Sequence, residues 1–292
     1  MTFEVPEIDY TEYTNRQLAA VPLAVLLVAL AILGGWYVLY GSPVSLGLDF
    51  TGGAELTIQT TDSRAEIAST FDQEPTSIQR VQASQNRYIV TFQTTDVQDL
   101  IRQANDGLTA PDGGEVVIGS QDITPSFGAG AQQTALIGMV IAFVGMSLLA
   151  FVLFRTSIPS IAIIASAFSD IMIPLALMNL LQIKLTLGTV AALLMLIGYS
   201  VDSDILLNNH ILRQSGGFYE STYRAMRTGV TMTLTSLSAM IVMSVVSFLF
   251  GIGLLTAIGL VLVFGLATDL MNTYMLNLSL LRYYKFGGGV TP

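Results

Sequence analysis

The sequence predicts an α-helical polytopic membrane protein with one α+β domain inserted after the first membrane span. The 292 residues are 52% hydrophobic and only 11% charged, and the mean hydropathy is +0.64. Six apolar runs are long enough to cross a hydrocarbon core of ~30 Å, which takes ~20 helical residues. Between the first and second runs, a more polar stretch has the alternating pattern that is typical of strands.

The six spans are expected at residues 18–40, 134–154, 158–181, 186–210, 230–250 and 254–280. No charge separates Arg227 from Asp269, so the last two spans are expected to turn near Gly251 and Gly253. The first span is expected to be an uncleaved anchor. Mostly acidic residues precede it, with Arg16 the only basic one, and it is longer than the core of a signal peptide.

Lysine and arginine positions predict the orientation, because cytoplasmic loops are enriched in them. One side of the membrane would hold both termini and Arg16, Arg155, Arg213, Arg224, Arg227, Arg282 and Lys285, whereas the opposite short loops contribute only Lys184. We therefore expect a multi-pass protein of the cell (plasma) membrane with cytoplasmic tails at 1–17 and 282–292. Residues 41–133, the α+β domain and a linker, would lie outside, and residues 134–281 would form the remaining membrane domain.

The polar insert predicts a split βαβ, ferredoxin-like domain, because its elements follow the order β-α-β-β-α-β. A cap at Asp62 or Ser63 is expected for the first helix and one at Thr95 for the second. The expected elements are strand Ala54–Thr60, helix Ser63–Phe71, strands Ile78–Ala83 and Arg87–Gln93 joined at Ser84-Gln85-Asn86, helix Asp96–Asn105 and strand Glu115–Ser120. The segment Asp122–Gln133 has the composition of a linker.

Two motifs stand out at the membrane boundary and inside the fourth span. The first is Gly47-Leu48-Asp49-Phe50-Thr51-Gly52-Gly53, whose glycines permit sharp turns where the chain enters the first strand. The second is Gly198-Tyr199-Ser200-Val201-Asp202. With six spans and an outward domain after the first, the chain resembles the SecF family, the smaller subunits of the SecD–SecF protein-export complex. Its acidic composition, with a net charge of −9, indicates the archaeal and halophilic branch.

This resemblance implies a resistance-nodulation-division-like membrane half that is not an enzyme. The implied partners are a SecD-like subunit, the Sec translocon channel, an unfolded preprotein and the lipid bilayer. The implied role is late translocation and release of preproteins, with the proton motive force as a candidate driving force. Two departures weaken the transfer of proton chemistry: Ser203 stands where bacterial relatives have a second acid, and Asn208-Asn209-His210 replaces a charged helix end. Arg227-Thr228 matches an Arg-Thr pair of the bacterial fifth span.

Aspartates inside the spans are the candidate ion-coupling residues, since one ionised carboxylate in the bilayer centre costs roughly 2.5–3.5 kcal/mol. Asp202 and Asp204 lie about 200° apart around a helix and so face opposite ways. We expect one to face a titratable cavity and the other to contact Arg227 or a partner helix. Asp202 keeps the motif position and is favoured for titration. Alternatively these two, with Asp170 and Asp269, are hydrogen-bonded packing contacts.

Several classes of site are excluded or disfavoured by composition. The chain has no cysteine, so it has no disulfide and no thiolate ligand or nucleophile. No metal site and no cofactor are expected, and the acidic surface disfavours nucleic acid. Two alternatives stay open: a stand-alone exporter of lipids or drugs with the same architecture, and an intramembrane aspartyl protease. The exporter is disfavoured because the chain has one half instead of two, and the protease because its GxGD pattern is absent.

Overall fold

The computed structural model describes residues 10–81, 84, 86–213 and 217–287. Six helical segments are long and apolar enough to cross a membrane, as predicted. Elements in chain order are α1 (Asn15–Tyr40), α2 (Leu48–Thr51), β1 (Gly53–Gln59), α3 (Arg64–Thr70), β2 (Ser77–Arg80), β3 (Arg87–Phe92), α4 (Val97–Gly107), β4 (Val117–Ile123), α5 (Pro125–Phe154), α6 (Ser157–Leu180), α7 (Leu187–Arg213), α8 (Phe218–Phe250), α9 (Gly253–Met271) and α10 (Leu278–Phe286). A π-helical turn, Asn272–Asn277, joins α9 to α10.

The inserted domain has the predicted ferredoxin-like topology. Its antiparallel sheet has the strand order β2-β3-β1-β4. Strand β3 therefore lies between the two strands of the β1-α3-β2 unit, and β1 lies between those of the β3-α4-β4 unit, as in a split βαβ fold. Ser63 caps α3 through a reciprocal bond with Glu66, as expected. The cap of α4 is Asp96 and not Thr95, because the Asp96 carboxylate accepts the N–H of Asp99. The expected strand end at Ala83 and the turn residue Gln85 lie outside the described residues.

The expected linker at 122–133 is wrong, since this segment is regular structure. Strand β4 runs to Ile123, and α5 begins two residues later with Pro125 in its first turn, where a missing N–H costs nothing. Gly128 then packs against the backbone of α2, and a Cβ there would lie 2.8 Å from the carbonyl oxygen of Phe50. The domain therefore passes directly into the second membrane helix.

The last two spans differ from expectation mainly at their ends. Helix α8 begins at Phe218, twelve residues before the predicted span, because Phe218, Ala225 and Met226 bury apolar side chains against α10 and the π-helical turn. The turn between α8 and α9 is where the sequence predicts it, with Gly251 at φ +71°. The expected tail from 282 to 287 is still helix as far as Phe286, and residues 1–9 and 288–292 of the two tails lie outside the described residues.

Helices α6, α7 and α9 form the centre of the membrane bundle. In the most apolar 18-residue window, 67% of the residues of α6 are buried, compared with 11% in α5. Small residues allow the central helices to approach closely, as is common where lipid surrounds a bundle. A Cβ on Gly265 of α9 would lie 2.2 Å from Cδ2 of Leu196 on α7. A close contact between α7 and α9 therefore lies one turn from Asp269.

Candidate functional site

Three carboxylates from three helices converge in the centre of the bundle. Asp170 on α6, Asp204 on α7 and Asp269 on α9 are 1%, 0% and 1% exposed. The hydroxyl of Ser200 donates to Oδ2 of Asp170 at 2.6 Å, and the amide of Asn272 donates to Oδ1 at 2.6 Å. Asp170 therefore connects all three helical segments. We call these three aspartates and their hydrogen-bond donors the carboxylate cluster.

Hydroxyl and amide groups connect the other two carboxylates. Oδ1 of Asp204 accepts hydrogen bonds from Thr273 at 3.0 Å and from the amide of Asn277 at 2.8 Å. Asp269 accepts the hydroxyl of Ser203 at 2.8 Å and lies 3.3 Å from that of Thr273. Each hydroxyl has one proton to donate, so Thr273 can serve Asp204 or Asp269 but not both at once. The cluster thus has two alternative hydrogen-bond arrangements, which differ in the carboxylate to which Thr273 donates.

The π-helical turn explains how the sixth span supplies so many donors. In an α-helix, Asn272 and Asn277 would face different directions, because five residues correspond to about 500° of rotation. A π-helical turn has wider i→i+5 hydrogen bonding and brings such positions to one side. Asn272, Thr273 and Asn277 are all fully buried as a result. Turns of this kind occur frequently at functional sites.

No cationic side chain neutralises the cluster within the part of the chain that the structure describes. The two ion pairs found there, Arg102–Asp99 and Arg224–Glu220, are both exposed and lie on α4 and α8. Among the described residues, Oδ2 of Asp204 and Oδ1 of Asn208 are buried acceptors that have no hydrogen-bond partner. Each ion buried without compensation costs several kcal/mol even after relaxation. Protonation of these carboxylates would remove that cost.

The structure separates the sequence-predicted aspartates into two groups. Asp170, Asp204 and Asp269 come together, whereas Asp202 lies exposed on the opposite face of α7, next to exposed Tyr199. The prediction of two opposite faces is therefore confirmed. Of the two contacts expected for the other aspartate, Asp204 has the one with a neighbouring helix, through Thr273 and Asn277. Arg227 is exposed and forms no ion pair in the described chain. Asp202, the favoured candidate for titration, is exposed, whereas Asp204 lies in the buried cluster.

The first motif forms the joint between the domain and the bundle. Gly47 precedes the short helix α2, which contains Leu48, Asp49, Phe50 and Thr51, while Gly52 and Gly53 lead into β1 with φ of +74° and +129°. A Cβ on Gly53 would lie 2.3 Å from the carbonyl oxygen of Phe92. On β1, the pKa of the Glu55 carboxyl is raised above its ordinary value. Burial is the main cause, and the positive charge of Lys184 opposes it only in part.

The second motif contributes to the cluster only in part. Ser200 is fully buried and bonds Asp170, and Val201 is 5% exposed in the apolar core. Gly198 has open space where a side chain would be, and Tyr199 is 40% exposed.

Sequence reasoning missed Ser203, Asn272, Thr273 and Asn277 as members of the cluster. A signal was present, because Thr273 and Asn277 follow Asp269 at four and eight residues in an apolar span. Such spacing places polar groups on one helical face. The part played by Asn272 needed the π-helical turn and could not be found in this way.

Comparisons with known proteins identify similar sequences over nearly the whole chain. The family described as "Protein export membrane protein SecD/SecF, C-terminal" matches residues 108–287, and the "SecD/SecF GG Motif" matches residues 37–63. A Haloferax volcanii protein described as protein-export membrane protein SecF is 62% identical over 286 residues, covering 98% of each chain. The SecF of Haloquadratum walsbyi is 60% identical over 292 residues, with the same coverage, and that of Pyrococcus furiosus is 34% identical over 295 residues, covering 96% of this chain and 97% of its own.

Solved structures show the same fold. The crystal structure of SecDF, a translocon-associated membrane protein from Thermus thermophilus, superposes with a TM-score of 0.71 at 21% identity. It covers 96% of this chain, while this chain spans 39% of that one. SecDF in a super-membrane-facing form gives a TM-score of 0.63 at 21% identity, with coverage of 98% and 40%. The chain therefore corresponds to about two fifths of a solved SecDF chain.

Proposed function

Because the chain belongs to the SecD/SecF family of protein-export membrane proteins, and to its SecF members, we propose that it is an accessory subunit of the Sec protein-export machinery. It would assist late translocation and release of preproteins. In the proposed orientation both termini are cytoplasmic and residues 41–133 are outside, where they would meet an unfolded preprotein leaving the Sec translocon channel. The distribution of lysine and arginine supports this orientation.

A SecD-like subunit is the proposed partner in the membrane. This chain spans about two fifths of the solved SecDF chains, and a SecD-like subunit would supply a counterpart of the remainder. Asp202 supports the same conclusion, since it lies exposed near the middle of α7. An ionised carboxylate facing lipid there would cost roughly 2.5–3.5 kcal/mol. A protein partner covering this face would remove that cost.

The carboxylate cluster is the proposed ion-coupling centre, with Asp170, Asp204 and Asp269 as the ion-binding groups. One observation carries this proposal: three buried carboxylates converge without a cationic side chain among the described residues. Moving one charge through 100 mV is worth about 2.3 kcal/mol, so a few ions could drive a movement of the domain. Arg227 and Asp202 lie outside the centre and would act at the partner surface.

A matched pair of substitutions on α7 tests this function. Asp204→Asn keeps the shape of the buried side chain but cannot ionise, while Asp202→Asn makes the same change on the exposed face. Export of a secreted reporter is measured in cells whose only SecF-type subunit is the variant, with the ion gradient intact and collapsed. Asp204→Asn should reduce export to the level of the collapsed gradient, and Asp202→Asn should keep a gradient-dependent part. Wild-type export by Asp204→Asn at equal protein levels would refute the proposal.

The two alternatives from the sequence receive less support. The relatives described above are protein-export proteins, not stand-alone lipid or drug exporters or proteases. The cluster does hold aspartates from different helices, as an intramembrane aspartyl protease requires. However, Ser203 and Thr273 hydroxyls connect them, and Asp170 bonds Ser200 and Asn272 instead of another carboxyl group.

A further inference from the structure

The structure assigns to Asp49 the role of a positioning residue that transmits movement between the α+β domain and helix α7. Its Oδ2 accepts a hydrogen bond of 2.8 Å from the backbone N–H of Leu187, which is the first residue of α7. The bond joins residues 138 positions apart in the chain. This inference rests on the proposed function, because the movement matters only if the carboxylate cluster on α7 responds to ions.

The contact at Asp49 is part of a continuous backbone connection. The N–H of Gly47 donates to the carbonyl of Leu185 at 2.7 Å, and the N–H of Leu185 donates to the carbonyl of Ser45 at 2.7 Å. The fully buried amide of Asn179, at the end of α6, holds the carbonyl of Pro43 at 2.8 Å. The segment before β1 is therefore fixed to the loop that starts α7.

The other side of α2 is fixed to the point where the domain returns to the membrane. Gly52 leaves no space for a side chain, since a Cβ would lie 2.8 Å from the nitrogen of Pro125 and 2.9 Å from the carbonyl oxygen of Ile123. Gly128 of α5 approaches Phe50 equally closely. Helix α2 thus lies between the first turn of α5 and the first residue of α7. A shift of α2 relative to the bundle would therefore also move α5 or α7.

Helix α7 can carry such a shift to the carboxylate cluster. Ser200 lies thirteen residues after Leu187, which is about 20 Å along a helix. Ser200 bonds Asp170, and Ser203 bonds Asp269. At the start of the helix, Thr186 and Thr189 bond each other's backbone or hydroxyl groups. Thr186 and Thr189 therefore leave the N–H of Leu187 for Asp49, which makes this bond a side-chain link between the domain joint and α7.

Two variants remove the same hydrogen bond from its two ends. Asp49→Ala removes the acceptor. Leu187→Pro removes the donor at a first helical position, where proline is tolerated. Asp49→Asn keeps an acceptor oxygen and should behave like the wild type, which separates the bond from the charge. Asp122→Ala is the matched control, since it removes an exposed carboxylate at the end of β4 that has no hydrogen bond in the described structure.

The readout is the position of the domain relative to the bundle, measured in the complex with its partner. The natural chain has no cysteine, so spin labels can be attached through Gln73→Cys in an exposed domain loop and Leu181→Cys at the end of α6. Asp204→Asn should shift the label-to-label distance in the otherwise unchanged chain, in Asp49→Asn and in Asp122→Ala. The shift should be lost in Asp49→Ala and in Leu187→Pro. Backbone amides 188–190 should exchange hydrogen about fivefold faster in Asp49→Ala and in Leu187→Pro, which is the effect of losing one helix N-cap.

An equal shift in Asp49→Ala and in the unchanged chain would overturn the inference and leave the proposed function standing. Unchanged exchange at 188–190 would also overturn it. If Asp204→Asn leaves the label-to-label distance unchanged in every variant, the proposed coupling centre is refuted, and the inference is refuted with it. A variant that misfolds is recognised by loss of the partner during purification, and the remaining one of the two variants then decides.

Discussion

The hydroxyl of Thr273 lies 3.0 Å from Oδ1 of Asp204, which joins the π-helical turn of the sixth span to the middle of α7. The same oxygen lies 3.3 Å from Oδ1 of Asp269. One hydroxyl proton therefore stands between two buried carboxylates. The energy of this arrangement depends on which of them holds a proton or cation, since a hydrogen bond to a charged acceptor is roughly twice as strong as one to a neutral acceptor.

Thr273→Val should destabilise the protein by about 1–3 kcal/mol, because it keeps the side-chain shape but removes a donor that two buried carboxylates share. Asp204 would keep the amide of Asn277 and Asp269 the hydroxyl of Ser203. Thermal unfolding of the purified protein in detergent measures this. Thr268→Val is the matched control, since the Thr268 hydroxyl donates only within its own helix, to the carbonyl of Phe264. Similar losses of stability in the two variants would contradict this, since Thr273 would then contribute no more than a hydroxyl bonded within one helix.

Gly265→Ala should destabilise the bundle by about 1–3 kcal/mol through overpacking. The new Cβ would lie 2.2 Å from Cδ2 of Leu196, whose side chain is fully buried. Leu196→Ala should cost less stability in the Gly265→Ala chain than in the wild type, because the two changes affect one contact. Gly138→Ala on α5 has open space and should change little. Thermal unfolding is again the measurement, and a neutral Gly265→Ala would contradict the close α7–α9 contact.

Asp62 should make the α+β domain less stable in acid. A hydrogen bond from the Thr109 N–H at 2.6 Å and one from the Thr60 hydroxyl at 2.7 Å hold the pKa of the Asp62 carboxyl below its usual range. A lowered pKa in the folded state stabilises the fold above the pKa of the unfolded chain. That contribution is lost as the pH falls through the folded pKa.

The melting temperatures of the wild type and Asp62→Ala should therefore differ most near neutral pH and converge below about pH 4. Circular dichroism of the full chain across this range is the measurement. Asp106→Ala removes an exposed carboxylate from α4 and should show no such convergence. A difference between the wild type and Asp62→Ala that is constant with pH would mean that Asp62 acts through packing and not through its charge.

Arg282 should hold the N-terminal segment against the end of the last helix. Although the sequence predicts it in a tail, it is 5% exposed and donates to the carbonyls of Tyr10 at 2.9 Å and Tyr13 at 2.7 Å, and also to the side chain of Asn15. Lysine cannot reproduce this planar set of donors. Arg282→Lys should therefore cost about 1–3 kcal/mol.

Hydrogen exchange of residues 13–18 checks the expectation for Arg282→Lys, since these amides should exchange faster when the segment loosens. Arg224→Lys provides the control, because Arg224 is exposed and pairs only with Glu220 one turn away. Unchanged exchange in Arg282→Lys would show that apolar contacts of Tyr10 and Leu18 suffice to hold the segment.

The sequence by itself determined the six spans, the insertion of the α+β domain after the first and its ferredoxin-like order. These follow from hydropathy, alternation and capping residues, which act over a few neighbouring residues. It also determined that Asp202 and Asp204 face opposite sides of one helix. Only the tertiary structure decided that Asp204 joins Asp170 and Asp269 while Asp202 is exposed, because this depends on the rotation of α7 against its neighbours. The π-helical turn and the bond of Asp49 to Leu187 likewise arise from packing between distant segments, which no local pattern encodes.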